Sequence, residues 1–197
     1  MVESEFGFFN RHGLIPPFFS SPAYGGSPYK IGLRQFVNDF SIGCSRFDRY
    51  KRISILEGYL AYRKMLHGAD ICSGIQWVNG SFVTYKELIE QEAPNDIDVV
   101  SIIKLPEGDN QESYMAKHPQ LFDHGKIHSN LCVDANYIMI ESLEVNVPWL
   151  LERANYWNNL WSHQKETLHW KGYFWIDLSP EEDAGAQEEL DRIKKRS

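Results

Sequence analysis

At 197 residues and 43% apolar side chains, the chain has enough material for one domain with a real core, and its six Trp, ten Tyr and eleven Phe exclude a disordered polymer. A net charge of −7 excludes a uniformly basic nucleic-acid surface and leaves room only for a local basic groove. Three scattered cysteines (Cys44, Cys72, Cys132) do not make a disulfide framework, "MVESEFGFFNRHG" is not a signal peptide, and no run reaches the roughly 18 apolar residues of a membrane span.

The expectation is a cytoplasmic protein with reduced thiols and no membrane contact. Residues 1–45 are rich in Gly, Pro, Ser and Phe. Pro16-Pro17 and Gly25-Gly26 preclude a continuous helix, so the segment is expected to lie as an irregular arm on the domain, with a short helix in 31–40. Asp48 starts a helix running to about His67, with Ile53, Leu56, Leu60 and Met65 on one side and Gly68 ending it. "IQWVN" reads as a strand with Ile75, Trp77 and Asn79 on one face. Residues 84–92 are good helix formers stopped by Pro94, and "IDVVSIIKL" (97–105) is a β-branched, buried strand. Residues 106–130 are polar and mixed, the most loop-like interior segment, with one helix at most. A strand over 131–142, a helix over 148–163, a strand in "KGYFWIDL" and a charged C-terminal helix or tail over 179–197 complete the order. The pattern predicts an α/β (α+β) domain over 46–178, a mixed sheet flanked by helices.

The chemistry concentrates in "QWVNGSFVTYKELIEQEAPNDIDVV". Asp96 and Asp98 are two apart, so a strand beginning there presents both to one face. Adjacent carboxylates repel, and a divalent cation removes the cost; Mg²⁺ takes one or two carboxylates together with substrate phosphates. Asp134 heads the next apolar strand, and if the two strands are neighbours, three acids converge on metal. Gly80-Ser81, between a strand and a helix, is a seat for phosphate, with Gly allowing close approach and Ser donating a hydroxyl. A lone Asp-x-Asp is common on surface loops and a lone Gly-Ser is usually a cap; the pair in this order is more specific than either.

"VNGSFVTYKELIEQEAPNDIDVV" resembles the signature of the nucleotidyltransferase superfamily with the DNA-polymerase-β-like fold: Gly-Ser, a spacer, Asp-x-Asp on a strand, then a later Asp. More narrowly, "FNRHGLIPP", "GSFVT", "PNDIDVV" and "KGYFWIDL" are similar to a group of small prokaryotic proteins within it, over residues 9–178. The resemblance implies that Gly80 and Ser81 bind nucleotide phosphates, that Asp96 and Asp98 ligate Mg²⁺ or Mn²⁺, and that Asp134 is the third acid. It implies transfer of a nucleoside monophosphate from an NTP to a hydroxyl of a protein or tRNA-like RNA acceptor. Other minimal members suggest a toxin–antitoxin or phage-defence setting with a cognate partner protein. The spacer from Ser81 to Asp96 is longer than in compact members, with residues 86–93 as a small insertion. The same fold without catalysis, as a nucleotide- or partner-binding module, is the alternative.

Other residues carry weaker signals. Lys171, beside Gly172, suits a nucleotide contact. His124, His128 and Cys132 have the spacing of a zinc set, but Gly125 should break that helix, which favours ordinary loop histidines. The tryptophans at 149, 157, 161, 170 and 175 suit core packing more than base stacking. Arg46, Arg49, Lys51 and Arg52 read as a solvated helix start or a phosphate contact, and the C-terminal helix as a solvated or partner-docking element.

Overall fold

A computed structural model describes residues 9–18, 26–42, 46–141, 145–165 and 167–196. Cys44 and most of the Gly- and Ser-rich stretch around Tyr24 lie outside them. The elements are β1 (Tyr29–Lys30), α1 (Leu33–Phe40), α2 (Arg46–His67), β2 (Gly74–Asn79), a 3₁₀ turn (Ser81–Val83), α3 (Lys86–Ile89), β3 (Ile97–Lys104), α4 (Gln111–Lys117), α5 (Pro119–Phe122), α6 (His124–Leu131), β4 (Val133–Ile140), α7 (Val147–Trp161), β5 (Phe174–Asp177) and α8 (Pro180–Lys194).

The strands form one mixed five-stranded sheet in the order β1-β5-β2-β3-β4. β3 and β4 are parallel, with Asp98 beside Asp134, while β2 runs antiparallel to β3 and sets Asn79 beside Asp98. The period of two then assigns the faces. Ile97, Val99 and Ile103 join Val78, Val133 and Ala135 in the main core with α1, α2 and α8. Trp77, Val100 and Ile138 point the other way, under α7, whose Leu150, Ala154, Trp157 and Trp161 pack on them. That face is the one Asp98 and Asp134 share by alternation.

Two polar residues on the core face, Gln76 and Ser101, are fully buried, and α2 satisfies both. Tyr59 Oη donates to Gln76 Oε1 at 2.8 Å, Arg63 donates to the same oxygen at 2.7 Å, and Gln76 Nε2 donates to Ser101 Oγ at 2.9 Å. Arg63, itself fully buried, also donates to Asp183 of α8 and to the Asp177 carbonyl. Unpaired, these groups would each cost ~1–3 kcal/mol; bonded together they pin α2 to the sheet.

Several sequence expectations are corrected. The helix over 84–92 shrinks to the single turn of α3, because a 3₁₀ turn intervenes after Gly80 and the chain leaves helix at Gln91, φ +56°. The loop-like 106–130 holds three short helices, each started by a local cap: Asn110 accepts from Ser113 N, Pro119 opens α5, and Asp123 accepts from Lys126 N. The arm is not merely laid on the domain, since β1 is a strand of the sheet beside β5. The C-terminal helix is not solvated on all sides; Ala186, Leu190 and Ile193 are buried in the main core. Arg52 is not a solvated helix start. It is buried and paired with Glu87, and it donates to the Phe82 and Thr84 carbonyls at 2.8 and 2.9 Å. No helix of the described residues is long and apolar enough to cross a membrane.

Candidate active site

The end of β2 and the starts of β3 and β4 meet at one end of the strands, and Gly80 closes over it. Its φ of +83° is the left-handed region that disfavours a side chain. Contact with Asp98 makes the requirement stricter: a Cβ on Gly80 would lie 1.6 Å from Asp98 Oδ2. Only glycine lets the backbone lie on that carboxylate. Ser81 follows at the start of the 3₁₀ turn, where its carbonyl accepts from Thr84 N and Oγ1. The Arg52–Glu87 pair holds the far end of this turn through the carbonyls it binds.

Asp98 is largely buried. Burial first, then the neighbouring charges of Asp96 and Asp134, push its carboxyl up to about 6, against the opposing pull of Lys171. Lys171 is itself buried, and its Nζ donates to the Gly80 carbonyl at 3.2 Å. Gly80, Asp98, Asp134 and Lys171 therefore form one contiguous group. Ser81 adjoins it through the chain.

Asp96 lies just ahead of β3, and its Oδ2 meets His128 Nε2 at 2.9 Å. His124, one turn earlier on α6, stands 3.6 Å from Asp134 Oδ1, whose other neighbour is Asn136 Nδ2 at 3.1 Å. Sequence reasoning set these histidines aside because Gly125 was expected to break the helix. Gly125 instead sits in the first turn of α6, where Asp123 caps the helix, so the i,i+4 spacing of His124 and His128 is a real helix face. That spacing was the signal. Cys132 does not join them: it caps α6 with φ +54° and leads into β4. The placement of α6 depends on a second glycine. A Cβ on Gly58 of α2 would fall 1.8 Å from the Leu131 carbonyl, so the two helices meet backbone to backbone there.

Among the described residues no three His, Cys, Asp or Glu side chains are grouped to hold a metal ion as they stand. The Asp98–Asp134 pair supplies two neighbouring carboxylates, within the number Mg²⁺ takes from protein, and an oxygen-only donor set suits Mg²⁺ or Mn²⁺ rather than zinc. Asp96 stands apart from that pair, held by His128 Nε2.

Residues 8–177 match a family described as a family of unknown function (DUF6932). The chain belongs to that family, and the match covers the sheet, every residue of the site and the arm from residue 8 onward. No curated protein matches the chain, and no solved structure does.

Proposed function

We propose that the chain is a metal-dependent nucleotidyltransferase, built on a variant of the DNA-polymerase-β-like fold, that moves a nucleoside monophosphate from an NTP to an acceptor hydroxyl. The observation that carries this reading is the seating of Gly80 on Asp98, with Asp134 beside it: a turn able to approach phosphate, laid directly on paired acids. Two crowded carboxylates with one lysine nearby favour a bound cation electrostatically.

In this reading Asp98 and Asp134 hold Mg²⁺ or Mn²⁺, with Asp96 joining them. The cation would screen the triphosphate and favour attack at the α-phosphorus. Gly80 and Ser81 seat the phosphates, and Lys171 adds positive charge while fixing the turn through the Gly80 carbonyl. The acceptor hydroxyl oxygen bonds to the α-phosphorus as the bond to the pyrophosphate oxygen breaks, and the hydroxyl proton passes to a base at the site. In this reading His124, beside Asp134, takes that proton. The acceptor is a protein side chain or an RNA end, and a toxin–antitoxin or phage-defence setting with a partner protein is part of the proposal.

A second reading, a nucleotide- or partner-binding module without turnover, draws on the His128–Asp96 contact, which occupies one of the acids. Incubation with α-labelled NTPs, Mg²⁺ or Mn²⁺ and a cell lysate separates the two. Label on protein or RNA that disappears in Asp96→Ala/Asp98→Ala supports transfer; nucleotide binding without label supports the module.

A further inference from the structure

Beside the acids lies a ledge the transfer reading does not use. The segment 162–171 folds back after α7: Lys171 N donates to the Ser162 carbonyl at 2.8 Å and Gln164 N to the His169 carbonyl at 2.8 Å. This hairpin raises Trp170, which is 61% exposed, and sets its ring against His163 with centroids 4.1 Å apart. An exposed tryptophan backed by one ring is a platform with a face left to solvent. Next to it, His169 meets His12 of the N-terminal arm at 4.7 Å between centroids, and Arg11 Nε donates to His12 Nε2 at 3.1 Å. His12 thus keeps Nδ1–H as its donor, and Arg11 adds a fixed charge. Although the chain is acidic overall, the segments 9–17 and 162–173 carry Arg11, Lys165 and Lys171 with three histidines against the single acid Glu166.

The ledge is tied to the candidate active site through the chain. Lys171, next to Trp170, ends on the Gly80 carbonyl, and Gly172 N donates to the Ile15 carbonyl of the arm at 2.6 Å. The occupant can be read from the count of anion sites. A single NTP would commit its phosphates to the Gly80–Ser81 turn, whereas Arg11 offers a second positive charge, beside the His12 and His169 rings and an aromatic face. An anion position beside a stacking surface, together with the Gly80–Ser81 turn, matches a short strand carrying both bases and phosphates.

We propose that Trp170, His163, His169, His12 and Arg11 bind single-stranded nucleic acid, one base stacked on Trp170 and a phosphate on Arg11 and the imidazoles, delivering a strand end to Gly80. The count of anion positions and the purpose of that delivery rest on the transferase reading; the stacking face of Trp170 and the charge of Arg11 do not.

The test is fluorescence anisotropy of labelled single-stranded RNA and DNA oligonucleotides of about 12 residues with the full-length protein. Binding should be saturable and weaken with salt. Trp170→Ala should weaken it roughly 5-fold or more, with Trp170→Phe restoring most of it, and Arg11→Ala should lower the salt slope by about one. Both Trp170 and Arg11 are exposed, so the variants should keep the parent melting temperature. Asp98→Asn should still bind the strand, and strand binding there with no transfer by the parent protein sinks the transferase reading while leaving the ledge standing. Absent oligonucleotide binding, or binding indifferent to Trp170→Ala, overturns the proposal. So does Trp170-dependent binding of ATP without oligonucleotide binding, which would assign the ledge to the base of the NTP.

Discussion

Gly80 and Asp98 are in van der Waals conflict with any side chain but hydrogen: a methyl on Gly80 would overlap Asp98 Oδ2 at 1.6 Å, at a φ of +83°. Gly80→Ala should therefore cost more than the ~1–2 kcal/mol of a left-handed alanine, because the carboxylate must also move. A melting temperature lowered by several degrees, with loss of any transfer, is the expected outcome. An unchanged melting temperature would mean that the turn and the acid are not in contact.

Asp98 gives a pH signature. Its carboxyl is raised from 3.8 to about 6. Between those values the folded chain keeps a proton that the unfolded chain releases, so this group lowers stability as pH rises through that window, and the full penalty persists above it. Asp98→Asn removes the penalty. It should stabilise the protein at pH 8 by on the order of 1–3 kcal/mol, and by little at pH 4, in urea titrations at the two pH values. Destabilisation at pH 8 would contradict the burial and crowding described for this group.

The fold around the site was legible wherever periodicity spoke. β2, β3, β4, β5 and the long helices α2 and α7 stand where the apolar patterns put them, and the pairing of Asp98 with Asp134 follows once β3 and β4 are neighbours. Local propensity failed in two places. Residues 84–92 have helix-forming composition, but the chain from Gly80 to Thr84 must stay close to Asp98 and Arg52, and that tertiary demand leaves only one helical turn. Residues 106–130 look like loop because their helices are short and capped by side chains, so periodicity has too little length to register. His128 was visible as the i,i+4 partner of His124, but its contact with Asp96 depends on α6 docking on α2 where Gly58 meets the Leu131 carbonyl, which no local pattern records.

The buried Arg52–Glu87 pair predicts a structural effect near the site. Arg52→Met leaves Glu87 buried and unpaired and strips the Phe82 and Thr84 carbonyls of their donor. The loss should be about 3–5 kcal/mol, and Arg52→Met/Glu87→Leu should recover part of it. Urea denaturation of the single and double variants measures both. A loss below 1 kcal/mol for the single variant would mean the pair is solvated.

His128 restrains Asp96. His128→Ala should free that carboxylate, and thermal stabilisation by Mn²⁺ should then reach its midpoint at a several-fold lower metal concentration. An unchanged midpoint would show that Asp96 takes no part in holding the cation.

Transfer of label from α-³²P-NTP in the presence of Mg²⁺ or Mn²⁺ and lysate, compared between the parent protein and Asp98→Asn, tests the central claim most directly. The account predicts covalent label on protein or RNA with the parent and none with the variant, although the variant is folded. Label of equal intensity from both, or none from the parent across all four nucleotides and both metals, would contradict it.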